Sequence, residues 1–176
     1  VDILEYAGVK AYKIGSGEVN NYLLLEKVAK TGKPIIISSG LSSLREVSDA
    51  VEFVKAINDN ISILQCTTSY PVQPKDIGLN VIKEMKDKFE FPIGLSDHSG
   101  EIFPSIAAVS LGAEILEVHA VFSKNMFGPD SSSSLEISQI KELVRGVRYI
   151  EMSLSNIVDK NNTNANVKNM FGKSLS

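Results

Sequence analysis

A single cysteine and two histidines are all that this chain of 176 residues holds of the side chains most often used for disulfides and metal binding. Cys66 alone excludes an intramolecular disulfide framework and fits a reducing compartment. No apolar run approaches the ~20 residues of a membrane span, and Val1 to Lys10 lacks a secretory layout, so the expected setting is soluble and cytoplasmic. A formal net charge of −3 leaves no basic footprint for nucleic acid. No glycine-rich dinucleotide fingerprint or Walker loop occurs anywhere. What remains is 43% hydrophobic, enough to bury a core of single-domain size. The first residue is Val rather than Met, and the chain opens inside a helix-like segment, so a piece of a longer protein is expected.

The chain repeats one grammar: helix, glycine, short apolar run, polar tip, helix. Gly8 precedes Ala11–Gly17, Gly32 precedes Pro34–Gly40, and Gly112 precedes Ile115–Ala120. Ile61–Thr67 and Pro92–Asp97 are the other two runs. Glycine just past a helix supplies a left-handed cap, and near-continuous apolar runs suit strands covered on both faces. Ser43-Leu44-Arg45-Glu46 has the form of a capping box, followed by Val47, Ala50, Val51 and Val54 on one side of a helix. Ile140, Leu143, Val144, Val147 and Ile150 form the apolar stripe of a last helix. Strands alternating with helices predict a parallel α/β fold. Residues 1–155 form the expected domain, and the polar stretch 156–176, with Lys160–Asn166 at its centre, is expected to be a linker.

Polar residues gather at every strand tip: Ser16 and Glu18, Ser38 and Ser39, Thr67 and Thr68, Ser96 to His98, and His119. Functional groups on all the tips favour a barrel, whose tips converge on one mouth, over an open sheet with a single switch point. A (β/α)8 TIM-type barrel needs about eight units and ~250 residues. The expectation is therefore that this chain carries the last five βα units. His98 and His119 then sit at neighbouring tips. Spacing alone leaves two readings open for them, a divalent-metal site or hydrogen-bonded structural histidines.

Five ordered motifs carry a family resemblance: Lys13-Ile14-Gly15-Ser16-Gly17-Glu18, Ile37-Ser38-Ser39-Gly40, Cys66-Thr67-Thr68-Ser69-Tyr70-Pro71, Gly94-Leu95-Ser96-Asp97-His98 and Gly128-Pro129-Asp130. Over residues 1–153 the chain resembles the sialic acid synthase (N-acetylneuraminate synthase) family. That resemblance implies a transferase that condenses phosphoenolpyruvate with an N-acetylated hexosamine of the N-acetylmannosamine type. It forms a C–C bond and releases phosphate by C–O cleavage. It implies His98 and His119 as ligands of Mn²⁺ or Mg²⁺, and Lys13, Ser16, Ser38, Thr68, Tyr70 and Ser96 as phosphoenolpyruvate ligands. It also implies Glu18 as general acid/base and Asp130 as a contact to sugar hydroxyls. Met170–Leu175 resembles the family's lead-in to an antifreeze-like domain, which implies a domain-swapped homodimer for the parent protein and an inactive isolated fragment.

Each residue also has a plain role. Lys13 can snorkel to the rim, the serines are ordinary turn residues, Glu18 is a loop carboxylate, and Asp130 closes a Gly-Pro-Asp turn. Relatives often carry histidine after that turn, where this chain has Ser131 at the head of four serines, which leaves the acceptor sugar open. Asp97 is expected to orient its loop rather than bind metal, and Cys66 to be a buried small hydrophobe. Alternatives of other classes are a metal-dependent aldolase or another phosphoenolpyruvate-condensing synthase on the same barrel, and a non-catalytic carbohydrate-binding barrel.

Overall fold

Six short strands pair in sequence order into one parallel sheet: β1 (Tyr12–Ile14), β2 (Ile35–Ser38), β3 (Ile61–Cys66), β4 (Ile93–Asp97), β5 (Ile115–Val121) and β6 (Ser134–Glu136). The helices are α1 (Asp2–Tyr6), α2 (Tyr22–Ala29), α3 (Leu44–Lys55), α4 (Leu79–Lys88), α5 (Phe103–Ser110) and α6 (Ile137–Ser155). The computed structural model describes residues 1–161 and 170–172. Most of the expected linker, and Lys173–Leu175 of the tail motif, lie outside the described residues. Among the described residues no helix is long and apolar enough to cross a membrane.

The apolar runs become strands for the reason their composition suggests. Ile35, Ile37, Ile61, Ile63, Ile93 and Leu95 point outward and are buried beneath Leu25, Val28, Val47, Val51, Val54, Ile82 and Met85 of the helices. β-branched residues fit a pleated surface buried between layers. Gly8, Gly32 and Gly112 take φ of 73°, 69° and 91° just after α1, α2 and α5, as expected of left-handed caps. The Ser43 capping box forms as well: the Glu46 N–H donates to Ser43 Oγ, and the Ser43 N–H donates to Glu46 Oε2 at 2.8 Å.

Two expectations change. The sheet has a sixth strand, β6, so the chain carries more of the barrel than five units. β6 has three residues and one apolar side chain, the buried Leu135, too little to show any periodicity. It is reached from β5 without an α-helix, through residues 122–133, of which Ser131–Ser133 form a 3-10 turn. On α6, Val144 departs from the inward stripe: it is 51% exposed, whereas Leu143 is buried. Close approach of α6 to α5 is centred at Gly146, where a Cβ would lie 2.8 Å from Ile106 Cδ1.

The sheet curls. Lys13 of β1 and Glu117 of β5 are four strand positions apart, about 19 Å in a flat sheet, yet their side chains meet at 2.9 Å. This is a parallel (β/α)8-type barrel wall with helices on its convex side. Gly94 lies on the concave side close against β5: a Cβ there would fall 2.2 Å from the Ile115 carbonyl oxygen. Gly94→Ala is therefore expected to destabilise by about 3 kcal/mol or more, the upper end of overpacking costs. Ser43→Ala, which removes only a cap, is expected to cost about 1 kcal/mol. Urea unfolding midpoints of the two variants check both values.

Candidate active site

Strand register decides which side chains share the concave face. Cys66, Ser96 and Glu117 are aligned across β3, β4 and β5. Alternation adds Lys13 on β1, Ser38 on β2, and His119 two residues beyond Glu117. At the carboxyl ends of these strands the concave face therefore carries an ammonium, hydroxyls, a carboxylate and an imidazole, with His98 beside them just past the end of β4. The rim beyond the carboxyl ends is where this fold class places its chemistry.

Glu117 is the centre of the polar set, and the sequence reading missed it. Its Oε1 accepts from Lys13 Nζ at 2.9 Å and from Ser96 Oγ at 2.7 Å. Burial pushes its carboxyl up, but the hydrogen bonds from Ser96 and Lys13, together with the Lys13 charge, outweigh burial and hold it below the ordinary carboxylate range. The sequence carried only a faint signal, a carboxylate inside the apolar run of β5 at a period of two from His119, which by itself does not set it apart from other strand residues.

The histidine rings stand 5.1 Å apart, centroid to centroid, and nearly perpendicular at 85°. His98 is buried, and its Nδ1 lies 3.1 Å from the Thr67 carbonyl oxygen. With the proton on Nδ1, that bond fixes the ring and leaves Nε2 as a free lone pair, the arrangement typical of a metal-binding imidazole. His119 Nδ1 lies 3.7 Å from Asp130 Oδ2. Tyr70 stacks on His98 at 4.3 Å and lies 5.8 Å from His119, so one phenol ring braces both imidazoles. The Tyr70–Pro71 peptide is cis. Among the described residues no group of three or more His, Cys, Asp or Glu side chains is placed to hold a metal ion. Among the described residues a cation here would rest on the two imidazoles. The donor set therefore fits an open, catalytic type of site and not a closed structural one.

The remaining predicted residues divide. Ser16 Oγ and Thr68 Oγ1 pair at 3.2 Å over Gly40, where a Cβ would lie 2.4 Å from Thr68 Oγ1 and 2.6 Å from Ser16 Cβ. Ser38 Oγ is buried with no hydrogen-bond partner, an uncommon state for a hydroxyl and one that a ligand at this rim would relieve. Glu18 is not drawn into this set: it sits in a 3-10 turn after β1 and accepts from Asn21 Nδ2 at 2.7 Å. Asp97 turns away from the concave face and accepts from the Ser99 N–H and hydroxyl at 3.0 and 2.7 Å. Burial raises its carboxyl, and those bonds offset only part of the rise. Cys66 is buried and its thiol pushed up by burial, which makes it unreactive as a thiolate. Beside Asp130, a cleft of about 260 Å³ opens between Phe122, Met126, Phe127 and Pro129.

The fold and the site together define an α/β barrel wall of parallel strands whose rim carries two imidazoles, a lysine and several hydroxyls. Comparison with known proteins makes the assignment specific. Residues 1–159 match the family model described as the NeuB family, and the chain belongs to that family. It is 45% identical over 155 residues to N-acetylneuraminate-9-phosphate synthase of Homo sapiens, covering 88% of this chain and 43% of that protein. It is 39% identical over 163 residues to N,N'-diacetyllegionaminic acid synthase of Campylobacter jejuni, covering 91% of this chain and 49% of that one. The crystal structure of the N-acetylneuraminic acid synthetase of Leptospira borgpetersenii, in complex with citrate, superposes with a TM-score of 0.87 at 33% identity. That superposition covers 99% of this chain and 61% of that one. The chain thus spans less than half the length of these curated relatives.

Because Glu117 is held below its ordinary value, its ion pair contributes stability that is fully present above the unfolded carboxylate pKa of about 4.3. That contribution is lost as pH falls through the lower folded value. Lys13→Met is expected to raise the Glu117 pKa, read by carboxyl NMR titration. The stability gap between wild type and variant is expected to be full at pH 7 and to narrow below about pH 4.

Proposed function

We propose that this chain is a barrel segment, residues 1–155, of a nonulosonic acid synthase, and that 156–176 leads away from it. The proposed reaction joins phosphoenolpyruvate to an N-acetylated hexosamine. C3 of phosphoenolpyruvate bonds to the aldehyde carbon of the open-chain sugar, whose oxygen takes up a proton. Water adds at C2 and gives up one proton, the C2 hydroxyl then loses its own as C2 becomes a ketone, the bond between C2 and the bridging oxygen breaks, and inorganic phosphate leaves carrying a proton. The observation that supports this most is the placement of Lys13, Ser96, Glu117 and His119 on one concave face, with His98 at its edge.

Lys13 offers a cation to the phosphate or carboxylate of phosphoenolpyruvate, and Glu117 aims it. Lysine on a flexible stem is otherwise free among rotamers, so the bond at 2.9 Å limits where its charge can go. Ser16, Thr68, Ser38 and Ser96 add hydroxyl donors, and Ser38 is the one with no protein partner to lose. Glu18 is proposed as the group that moves protons, Tyr70 as a phosphoenolpyruvate contact, and Asp130 as the acceptor for sugar hydroxyls. His98 and His119 would hold Mn²⁺ or Mg²⁺, which when bound supplies Lewis acidity at a substrate oxygen.

The proposed activity belongs to a closed barrel in a homodimer. In the six-strand wall the edges β1 and β6 each pair on one side only, and Lys13, Ile36, Ser62 and Ile115 on the concave face stay open to solvent. The isolated 176 residues are therefore expected to release no phosphate. The longer protein that completes the barrel is expected to release phosphate from phosphoenolpyruvate only with an N-acetylated hexosamine and a divalent metal. EDTA is expected to abolish release. Even outer partners of metal ligands are worth about 10–100-fold, so His98→Ala or His119→Ala should lower the rate by more than about 100-fold. Turnover close to wild type in both variants would remove the metal from the reading, and release without any sugar would remove the condensation.

A further inference from the structure

The two imidazoles are anchored to different neighbours. Strands β4 and β5 stay in register only as far as Asp97 and Val118, one residue short of each histidine. Beyond that point His98 turns toward β3: its Nδ1 meets the Thr67 carbonyl at 3.1 Å, and its own carbonyl accepts from the Val72 N–H at 3.1 Å. His119 instead pairs in register with Ser134 of β6. No ladder bond therefore fixes the distance between the two rings.

A lysine from the loop after β5 spans that gap. Lys124 Nζ donates to the Gly100 carbonyl at 2.7 Å, two residues past His98. The Lys124 N–H is itself fixed by Glu136 Oε1 at 2.8 Å, at the start of α6. Gly100, at φ 72°, lies so close to the same loop that a Cβ would fall 2.5 Å from the Ser132 carbonyl oxygen. The serine run completes the brace. Ser131 Oγ donates to Gly128 O at 2.9 Å, and Ser134 Oγ to Asp130 O at 2.7 Å, which holds Asp130 near His119.

We propose that Lys124 is a positioning residue: through Gly100 it sets the separation of His98 and His119, and so tunes the affinity of that pair for a divalent cation. A charged donor to a carbonyl is a strong bond of its kind, and Lys124 is only partly exposed. Lys124 touches neither ring, so its effect travels through the backbone of residues 98–100. This inference rests on the metal reading of the two histidines, and it goes further by assigning a role to a residue outside the site.

The test is Mn²⁺ binding by calorimetry to the longer protein that completes the barrel, with no substrate present, for wild type, Lys124→Met, Lys124→Arg and His98→Ala. Thermal unfolding of each metal-free protein is measured alongside. Wild type is expected to bind, His98→Ala to lose binding, and Lys124→Met to bind about tenfold more weakly. Lys124→Arg, which keeps a donor, is expected to recover most of that loss, with metal-free unfolding of both lysine variants close to wild type. Equal affinity in wild type and Lys124→Met overturns the proposal. So does a loss that arginine does not rescue, or one matched by an equal fall in metal-free stability. Absence of binding by wild type overturns the metal reading itself, and this proposal with it.

Discussion

Alternation along a curled parallel sheet is the constraint on which this molecule depends. Helices cover the convex side, so the strand residues that face them are mostly apolar, Ile35, Ile37, Ile61, Ile63, Ile93 and Leu95 among them. The residues between them face inward and are released from that demand. At the carboxyl ends the inward positions become Lys13, Ser38, Cys66, Ser96, Glu117 and His119. Stability and function thus use opposite faces of the same strands, and a one-residue slip of register would exchange them.

Placing charge on an inward face carries a cost, which is met by pairing. Glu117 would be an unfavourable carboxylate inside a barrel; Lys13 and Ser96 make its ionised form the favoured one despite burial. The same bond reaches from β1 to β5, so it also records the curvature of the wall. Ser38 breaks the pattern, since its hydroxyl is buried without a partner. Ser105 and Ser133 share that state, but of the three Ser38 is the one on the concave face among the strand-tip groups, where a ligand would supply the missing partner.

The histidine pair shows how a site is assembled from independent supports. The β3 tip holds His98 through Thr67 and Val72, β6 and Asp130 hold His119, and Tyr70 braces both rings. The four serines Ser131–Ser134 form a hydrogen-bonded turn that orders Asp130 and begins β6. Lys124 then joins the two loops. Family membership accords with this layout.

The apolar runs, the glycine caps and the capping box at Ser43 were legible in the sequence, because each depends on neighbours within a few residues. So were the strand-tip motifs and both histidines. Three things were not legible. β6 has one apolar residue and no period to detect. Val144 lies on the apolar stripe of α6, yet faces away because α6 packs mainly on α5 and the last strands. Glu117 looked like a strand residue among others until curvature brought it to Lys13, 104 positions away. Local chemistry therefore determined which elements form and what their tips carry. Only the tertiary structure decided which side chains meet, because that follows from strand register and sheet curvature, properties of the whole sheet that no short window contains.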